Sequence, residues 1–168
     1  LKSTAKPTRD KANTPNLFFF ISQPESKYLI VPSTSSEKRE YIPIGFLDGK
    51  EFIASNTCEI LPSNDLYLFG ILTSSTHMTW MRLVAGRLEM RYSYSISVVF
   101  NNFPWPQEPR YKAKIQTLAN NILKIREQYP NSCLADLYDP ISMPKMLLNA
   151  HKELDRAVLK LYNLNLEQ

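Results

Sequence analysis

The feature that most constrains the fold of this chain is a change of apolar period at a cluster of prolines. Before Pro104, Pro106 and Pro109 the apolar residues come in short runs broken by turn-forming residues. Beyond them Tyr111, Ile115, Leu118, Ile122, Ile125 and Tyr129 alternate spacings of four and three until Pro130 stops the pattern. After Pro144 the residues Leu147, Ala150, Leu154, Ala157 and Leu161 repeat it. Positions three and four apart share one face of a helix, so both stretches predict amphipathic helices. Proline suits the first helical position, where its missing N–H is no loss. Two such helices joined by residues 131–142 predict an antiparallel helical hairpin, packed on the preceding domain or on a further part of a longer polypeptide.

The first two thirds follow a different pattern. Runs rich in β-branched and aromatic residues at 17–22, 28–32, 40–46, 52–55 and 59–61 predict short strands, separated by turn signals such as Gln23-Pro24, Asp48-Gly49 and Asn56-Thr57. Pro62-Ser63-Asn64-Asp65 supplies turn and N-cap chemistry for a predicted short helix over residues 66–72, and after a break and second cap at 73–76 another helix is predicted from about His77 to Ala85, ended by Gly86. His77, Trp80, Met81 and Val84 fall on one stripe of it, where a histidine is a hydrogen-bonded core residue sooner than a catalyst. The predicted class is α+β: a short-stranded mixed sheet with packed helices, followed by a C-terminal helical hairpin. The predicted division is a polar, turn-rich linker or frayed terminus over 1–16, a body over 17–106 and the hairpin over 107–168.

Charge and composition set limits on function. A formal net charge of +4 permits a polyanionic partner. There are 11 basic against 9 acidic residues before residue 107 and 9 against 7 after it, so no polybasic tail exists and any phosphate contacts must be assembled by the fold. Cys58 and Cys133 are far apart and fit reduced thiols better than a disulfide framework, and with His77 and His151 they form no zinc-ligand spacing. No apolar run approaches a membrane span and no signal peptide opens the chain, which predicts a cytoplasmic protein without a membrane partner. The first residue is Leu rather than Met, which predicts a segment of a longer polypeptide.

The stretch Gly86-Arg87-Leu88-Glu89-Met90-Arg91-Tyr92-Ser93-Tyr94-Ser95 carries the chemistry of most interest. In an extended backbone Glu89, Arg91 and Ser93 project to one side, with Tyr92 and Tyr94 packing inward. A carboxylate accepts from the cytosine amino group and a guanidinium forks onto guanine O6 and N7, so the pair suits one C·G base pair. The same two residues also suit a solvated strand surface with a weak ion pair. Ser33 to Ser36, Ser35 and Ser36 among them, form with Lys38 and Arg39 a hydroxyl-rich basic turn ahead of a strand, suited to phosphate, and Arg87, next to the readout segment, is a further phosphate candidate. Phe103 and Trp105, between prolines, pack at a boundary more readily than they wedge a base step.

Ser35-Ser36-Glu37-Lys38-Arg39-Glu40-Tyr41-Ile42-Pro43-Ile44-Gly45-Phe46, Phe69-Gly70-Ile71-Leu72-Thr73-Ser74-Ser75-Thr76-His77-Met78, Gly86-Arg87-Leu88 and Asn101-Asn102-Phe103-Pro104-Trp105-Pro106 together resemble the C-terminal part of the MmeI-like, type IIL restriction-modification enzymes. The likeness continues through Leu134 to Pro140 and His151 to Val158, so it covers nearly the whole chain. Such enzymes join an endonuclease, an adenine-N6 DNA methyltransferase and a target recognition domain in one bacterial chain. The resemblance implies that this chain is the recognition part: it binds double-stranded DNA and works beside an upstream methyltransferase domain. In that family the segment after Gly-Arg-Leu reads a base pair, and some relatives carry Lys then Asp where Glu89 and Arg91 stand here. The acid-then-base order implies that Glu89 contacts cytosine N4 and Arg91 the paired guanine, with Ser93 a weaker reader of a neighbouring pair.

Catalytic machinery is not expected in this chain. With only four glycines there is no S-adenosylmethionine loop, and Asn101-Asn102-Phe103-Pro104 lacks the paired prolines of an adenine-flipping motif. Glu25-Ser26-Lys27 has the letters of a Mg²⁺ nuclease but no carboxylate on an adjoining strand. No serine, cysteine or histidine has a nucleophile's spacing. S-adenosylmethionine, and Mg²⁺ where a nuclease is present, are expected in the longer parent chain. The rival reading is a protein interaction scaffold built on the helical hairpin.

Overall fold

The computed structural model describes residues 6–10, 12, 14, 23–107 and 111–164. The run at 17–22 and the helix-opening position of Pro109 lie outside these residues. A short helix, α1 (Lys6–Asp10), lies within the segment expected to be turn-rich. The first sheet centres on β1 (Tyr28–Pro32), whose Tyr28, Leu29 and Val31 are buried. It is flanked antiparallel by β3 (Gly45–Leu47) and β4 (Cys58–Leu61). The second sheet is β2 (Thr34–Ser35), β6 (Arg91–Ser93) and β5 (Gly86–Leu88), in that spatial order and antiparallel throughout. Ser33 alone separates β1 from β2, so one stretch of chain passes from the first sheet directly into the second.

Two strand expectations are corrected. Residues 40–46 supply only the start of β3, because Pro43 has no N–H for a ladder and side chains satisfy the neighbouring backbone. Arg82 donates to the Arg39 and Glu40 carbonyls, Met78 Sδ accepts from the Ile42 N–H, and Arg126 donates to the Ile44 carbonyl. Residues 52–55 form no strand either. There the Gln23 amide acts as the partner strand: its Oε1 accepts from Ala54 N–H at 3.0 Å, while its Nε2 donates to the Gly49 and Phe52 carbonyls.

Helix α2 (Leu66–Leu72) begins at the Asp65 cap, whose carboxylate accepts from Tyr67 N–H at 2.8 Å. Helix α3 (Ser75–Val84) is capped by Ser74, which places its start slightly before His77. The apolar run Ile96–Phe100 winds into one π-helical turn. Its backbone is tied down by Trp80 Nε1 on the Val99 carbonyl at 2.9 Å and by Asn102 on the Ser97 and Val98 carbonyls. Asn102 therefore closes a turn, and Phe103 packs against His77, Trp80 and Trp105 rather than outward.

The C-terminal third holds α4 (Lys112–Glu127), α5 (Leu134–Leu137) and α6 (Lys145–Leu159), followed by a 3₁₀ turn over Lys160–Tyr162. Helices α4 and α6 pack together as the two stripes predict, and α5 is an added single turn within their connection. The hairpin packs on α2, where a Cβ on Gly70 would lie 2.7 Å from Ile115 Cγ2 and 3.3 Å from Ala119 Cβ. Glycine is what permits that approach. One hydrophobic cluster runs from Leu29 and Ile44 through Phe69 and Met81 to Ile122 and Leu154, so body and hairpin share a core.

Buried polar groups cross the same junction. Arg126 of α4 donates through Nη1 to the Ile44 carbonyl at 2.7 Å and through Nε to the Tyr138 hydroxyl at 2.9 Å. Tyr138 lies 2.7 Å from His151 Nε2. Because the guanidinium only donates, the Tyr138 proton goes to His151, which must be neutral at Nε2. Burial, reinforced by the nearby Arg126 charge, lowers the His151 pKa to about 3, against a smaller opposing pull from the Thr73 backbone. Asp155 of α6 also ties the hairpin to the body. It is buried, accepting from Tyr41 Oη and Ser75 N–H at 2.7 Å each. Asp136 likewise caps the Cys133 N–H and Asp139 accepts from Ile141 and Ser142 N–H, so neither needs a cationic partner.

Candidate nucleic-acid interface

The second sheet gathers the residues singled out by the sequence. Ser35 in β2 stands opposite Tyr92 in β6, and Thr34 opposite Ser93. The 33–39 turn and the 86–93 segment thus meet, although residues 40–85 lie between them in sequence. On the other side β6 pairs with β5 in the register Gly86↔Ser93, Arg87↔Tyr92 and Leu88↔Arg91.

That register overturns one premise. Residues 86–93 are not a single extended strand but a hairpin whose two-residue loop is Glu89-Met90. Glu89 occupies the left-handed region with φ 57°, while Met90 has no positive φ. Two-residue hairpin loops usually place glycine or asparagine at such a position, and a glutamate there is strained. The segment lacks an Asn-Gly or Asp-Gly signal, so the turn left no sequence cue.

Glu89 and Arg91 nevertheless come together. Arg91 Nη2 donates to Glu89 Oε2 at 3.0 Å, with the two side chains 48% and 77% exposed. The contact uses one of five guanidinium donors and one carboxylate oxygen, leaving most of the hydrogen-bonding capacity of both groups toward solvent. Arg91 and Ser93 share a face of β6, and Tyr92 and Tyr94 are buried as expected. Leu88 and Met90, both more than half exposed, flank the pair at the tip.

The phosphate candidates divide. Ser36 is half-buried in the turn, its Oγ accepting from Lys38 N–H at 3.3 Å, and Lys38 is exposed. Ser35 is corrected by its burial: only 4% of it is exposed, and its Oγ is enclosed without a partner, so it presents no surface to a phosphate. Arg39 is half-buried and turned toward the hairpin domain, with Nη2 3.3 Å from the Ala135 carbonyl. Arg87 is engaged inside its own hairpin, its Cζ 3.9 Å from the Tyr92 ring centroid and its Nη1 3.1 Å from the Met90 carbonyl.

Behind the sheet His77 is fully buried with Nε2 3.0 Å from Tyr94 Oη, and desolvation lowers its pKa to about 3. It is a core histidine, as its place on the helix stripe predicted. Among the described residues no group of three or more His, Cys, Asp or Glu could hold a metal ion. No glycine has a positive φ. No helix among the described residues is long and apolar enough to cross a membrane.

Comparison with known proteins gives this arrangement a context. Residues 1–107 match the family model "MmeI, target recognition domain", and residues 107–168 match "MmeI, C-terminal domain". The chain is 42% identical over 162 residues to DNA methyltransferase A of Bacillus subtilis (strain 168), covering 96% of this chain and 18% of that protein. It superposes on a solved structure of the type IIL restriction-modification enzyme MmeI in complex with DNA, with TM-score 0.87 and 52% identity over 98% of this chain and 22% of the other. The chain thus spans about a fifth of the length of either relative. Two contiguous family matches and a shared fold over almost every residue establish that this chain belongs to the MmeI family, as its target recognition and C-terminal domains.

Proposed function

We propose that this chain supplies the sequence-specific double-stranded DNA contact of a longer methyltransferase, and that Glu89 and Arg91 read one C·G base pair in the major groove. The observation that carries the reading is the exposed Glu89–Arg91 pair at the tip of a hairpin, in a domain of the target recognition family. A carboxylate can only accept and a guanidinium can only donate, matching cytosine N4 and guanine O6/N7 respectively. Each such contact is worth about 1–3 kcal/mol of discrimination. Ser93, on the same face of β6, is placed to contact a neighbouring pair, and Ser36 and Lys38 hold phosphate from the adjoining turn.

In this reading the fragment binds and the upstream part of the longer chain catalyses. S-adenosylmethionine would supply the methyl group for adenine N6 there, and Mg²⁺ would serve a nuclease where one is present. Such an enzyme acts on DNA in the cytoplasm. The test compares the motif methylated by the full-length protein with that of the double variant Glu89→Lys, Arg91→Asp. Reversing donor and acceptor should exchange C for G at one position of the motif. An unchanged motif in an active variant would overturn the reading and leave the pair as surface charges.

A further inference from the structure

We propose that Arg87 is a positioning residue for base readout, holding the strained Glu89-Met90 turn in the one geometry that presents Glu89 and Arg91 together; this rests on the base-reading role proposed above. Three observations converge on it. First, the register places Arg87 opposite Tyr92, and opposed residues share a face, so Arg87 lies on the side of the sheet away from Arg91 and Ser93. Its guanidinium therefore lies on the Tyr92 face of the hairpin. Second, its guanidinium sits 3.9 Å from the Tyr92 ring centroid, and Tyr92 is itself only 8% exposed. A planar cation over a fixed aromatic face is held in orientation as well as in place.

Third, the same guanidinium donates to the Met90 carbonyl at 3.1 Å, spanning the loop from β5 to its second residue. Its neighbour Glu89 is the loop residue held at φ 57°, a conformation that costs a glutamate energy and persists only where the surroundings fix it. Arg87 thus clamps the residue between the two readers, with the Tyr92 ring as its anvil. Without the clamp the loop relaxes, Glu89 leaves the left-handed region, and the acid and base no longer meet one base pair in register.

The alternative role, a phosphate contact, makes opposite predictions. The experiment measures binding of the full-length protein, as wild type, Arg87→Ala and Arg87→Lys, to duplexes carrying its methylation motif. Further duplexes are substituted at the base pair that the Glu89→Lys, Arg91→Asp exchange shifts, and every duplex is measured across a salt series. A positioning role predicts that both Arg87 variants lose about tenfold in discrimination at that base pair alone, with the salt dependence unchanged. Arg87→Lys keeps the charge but not the planar stack, so it should not restore discrimination.

A phosphate role predicts uniform weakening across all duplexes in Arg87→Ala, with the salt slope reduced by about 1 and recovered in Arg87→Lys. That result, or no change in either quantity, overturns the proposal. Because Arg87 is exposed, thermal melting should match wild type. A failure of base reading itself would appear separately, as an unchanged motif in the Glu89 and Arg91 double variant.

Discussion

Arg126 illustrates how a single residue can escape sequence reasoning while supporting much of the structure. It sits beside Ile122 and Ile125, and a lone arginine at the border of a helical stripe normally extends to solvent. Here it is 8% exposed, fixing the Ile44 carbonyl and the Tyr138 hydroxyl while its guanidinium lies 5.4 Å from the Phe69 ring centroid. Substituting Arg126→Met should lower stability by about 3–6 kcal/mol, since hydrogen bonds to a charged group contribute about 1.5–3 kcal/mol each and two buried acceptors lose their donor. Urea denaturation midpoints measure this, and Arg126→Lys should recover only a minor part because an ammonium cannot span both acceptors. Glu89 escaped for a different reason. Residue type singled it out as a candidate reader, but nothing in Glu89-Met90 signals a turn, so its conformation depends on β5 and β6 pairing around it.

At the level of elements, legibility followed the strength of the local signal. Helices α4 and α6 were visible because five or six apolar residues repeat at helical spacing, and β1 and β4 because branched residues lie between clear turns. Residues 40–44 and 52–55 have strand-like composition but no partner strand, since Arg82, Met78, Arg126 and Gln23 take their backbone groups. Those partners are distant in sequence, and no local pattern announces them. The α2–α4 contact is equally nonlocal, and it yields a sharp expectation. Gly70→Ala should gain up to about 1 kcal/mol of helix propensity but force a methyl against Ile115, with overpacking of about 1–3 kcal/mol. The net should be destabilising by about 1 kcal/mol, read from thermal melting, and relieved when Ile115→Leu, which lacks the Cγ2 branch, is added.

Across the whole molecule the shared core and the buried histidines give stability a pH signature. His77 and His151 both have pKa values near 3 in the folded chain against about 6.5 unfolded, so below 6.5 the unfolded chain takes up protons the folded one refuses. Stability is therefore full above pH 6.5 and is lost as pH falls, by about 1.4 kcal/mol per histidine at one unit below. Asp155 works against this at lower pH: burial raises its pKa, so its contribution diminishes as pH rises through that range and is greatest in acid. Denaturation midpoints should fall between pH 6.5 and 5, and His77→Gln should halve the slope whatever it does to the absolute value. Because Leu29, Phe69, Ile122 and Leu154 belong to one cluster, fluorescence and far-ultraviolet circular dichroism should report a single coincident transition.

The Glu89–Arg91 pair is outside that cluster, at a solvent-facing loop, where an ion pair contributes at most about 1 kcal/mol to folding. Substitutions there leave the interior untouched. A lineage can therefore change the charge and hydrogen-bonding character of this tip in one or two mutational steps without first accumulating compensating changes in the core. Its stability margin stays available for drift elsewhere.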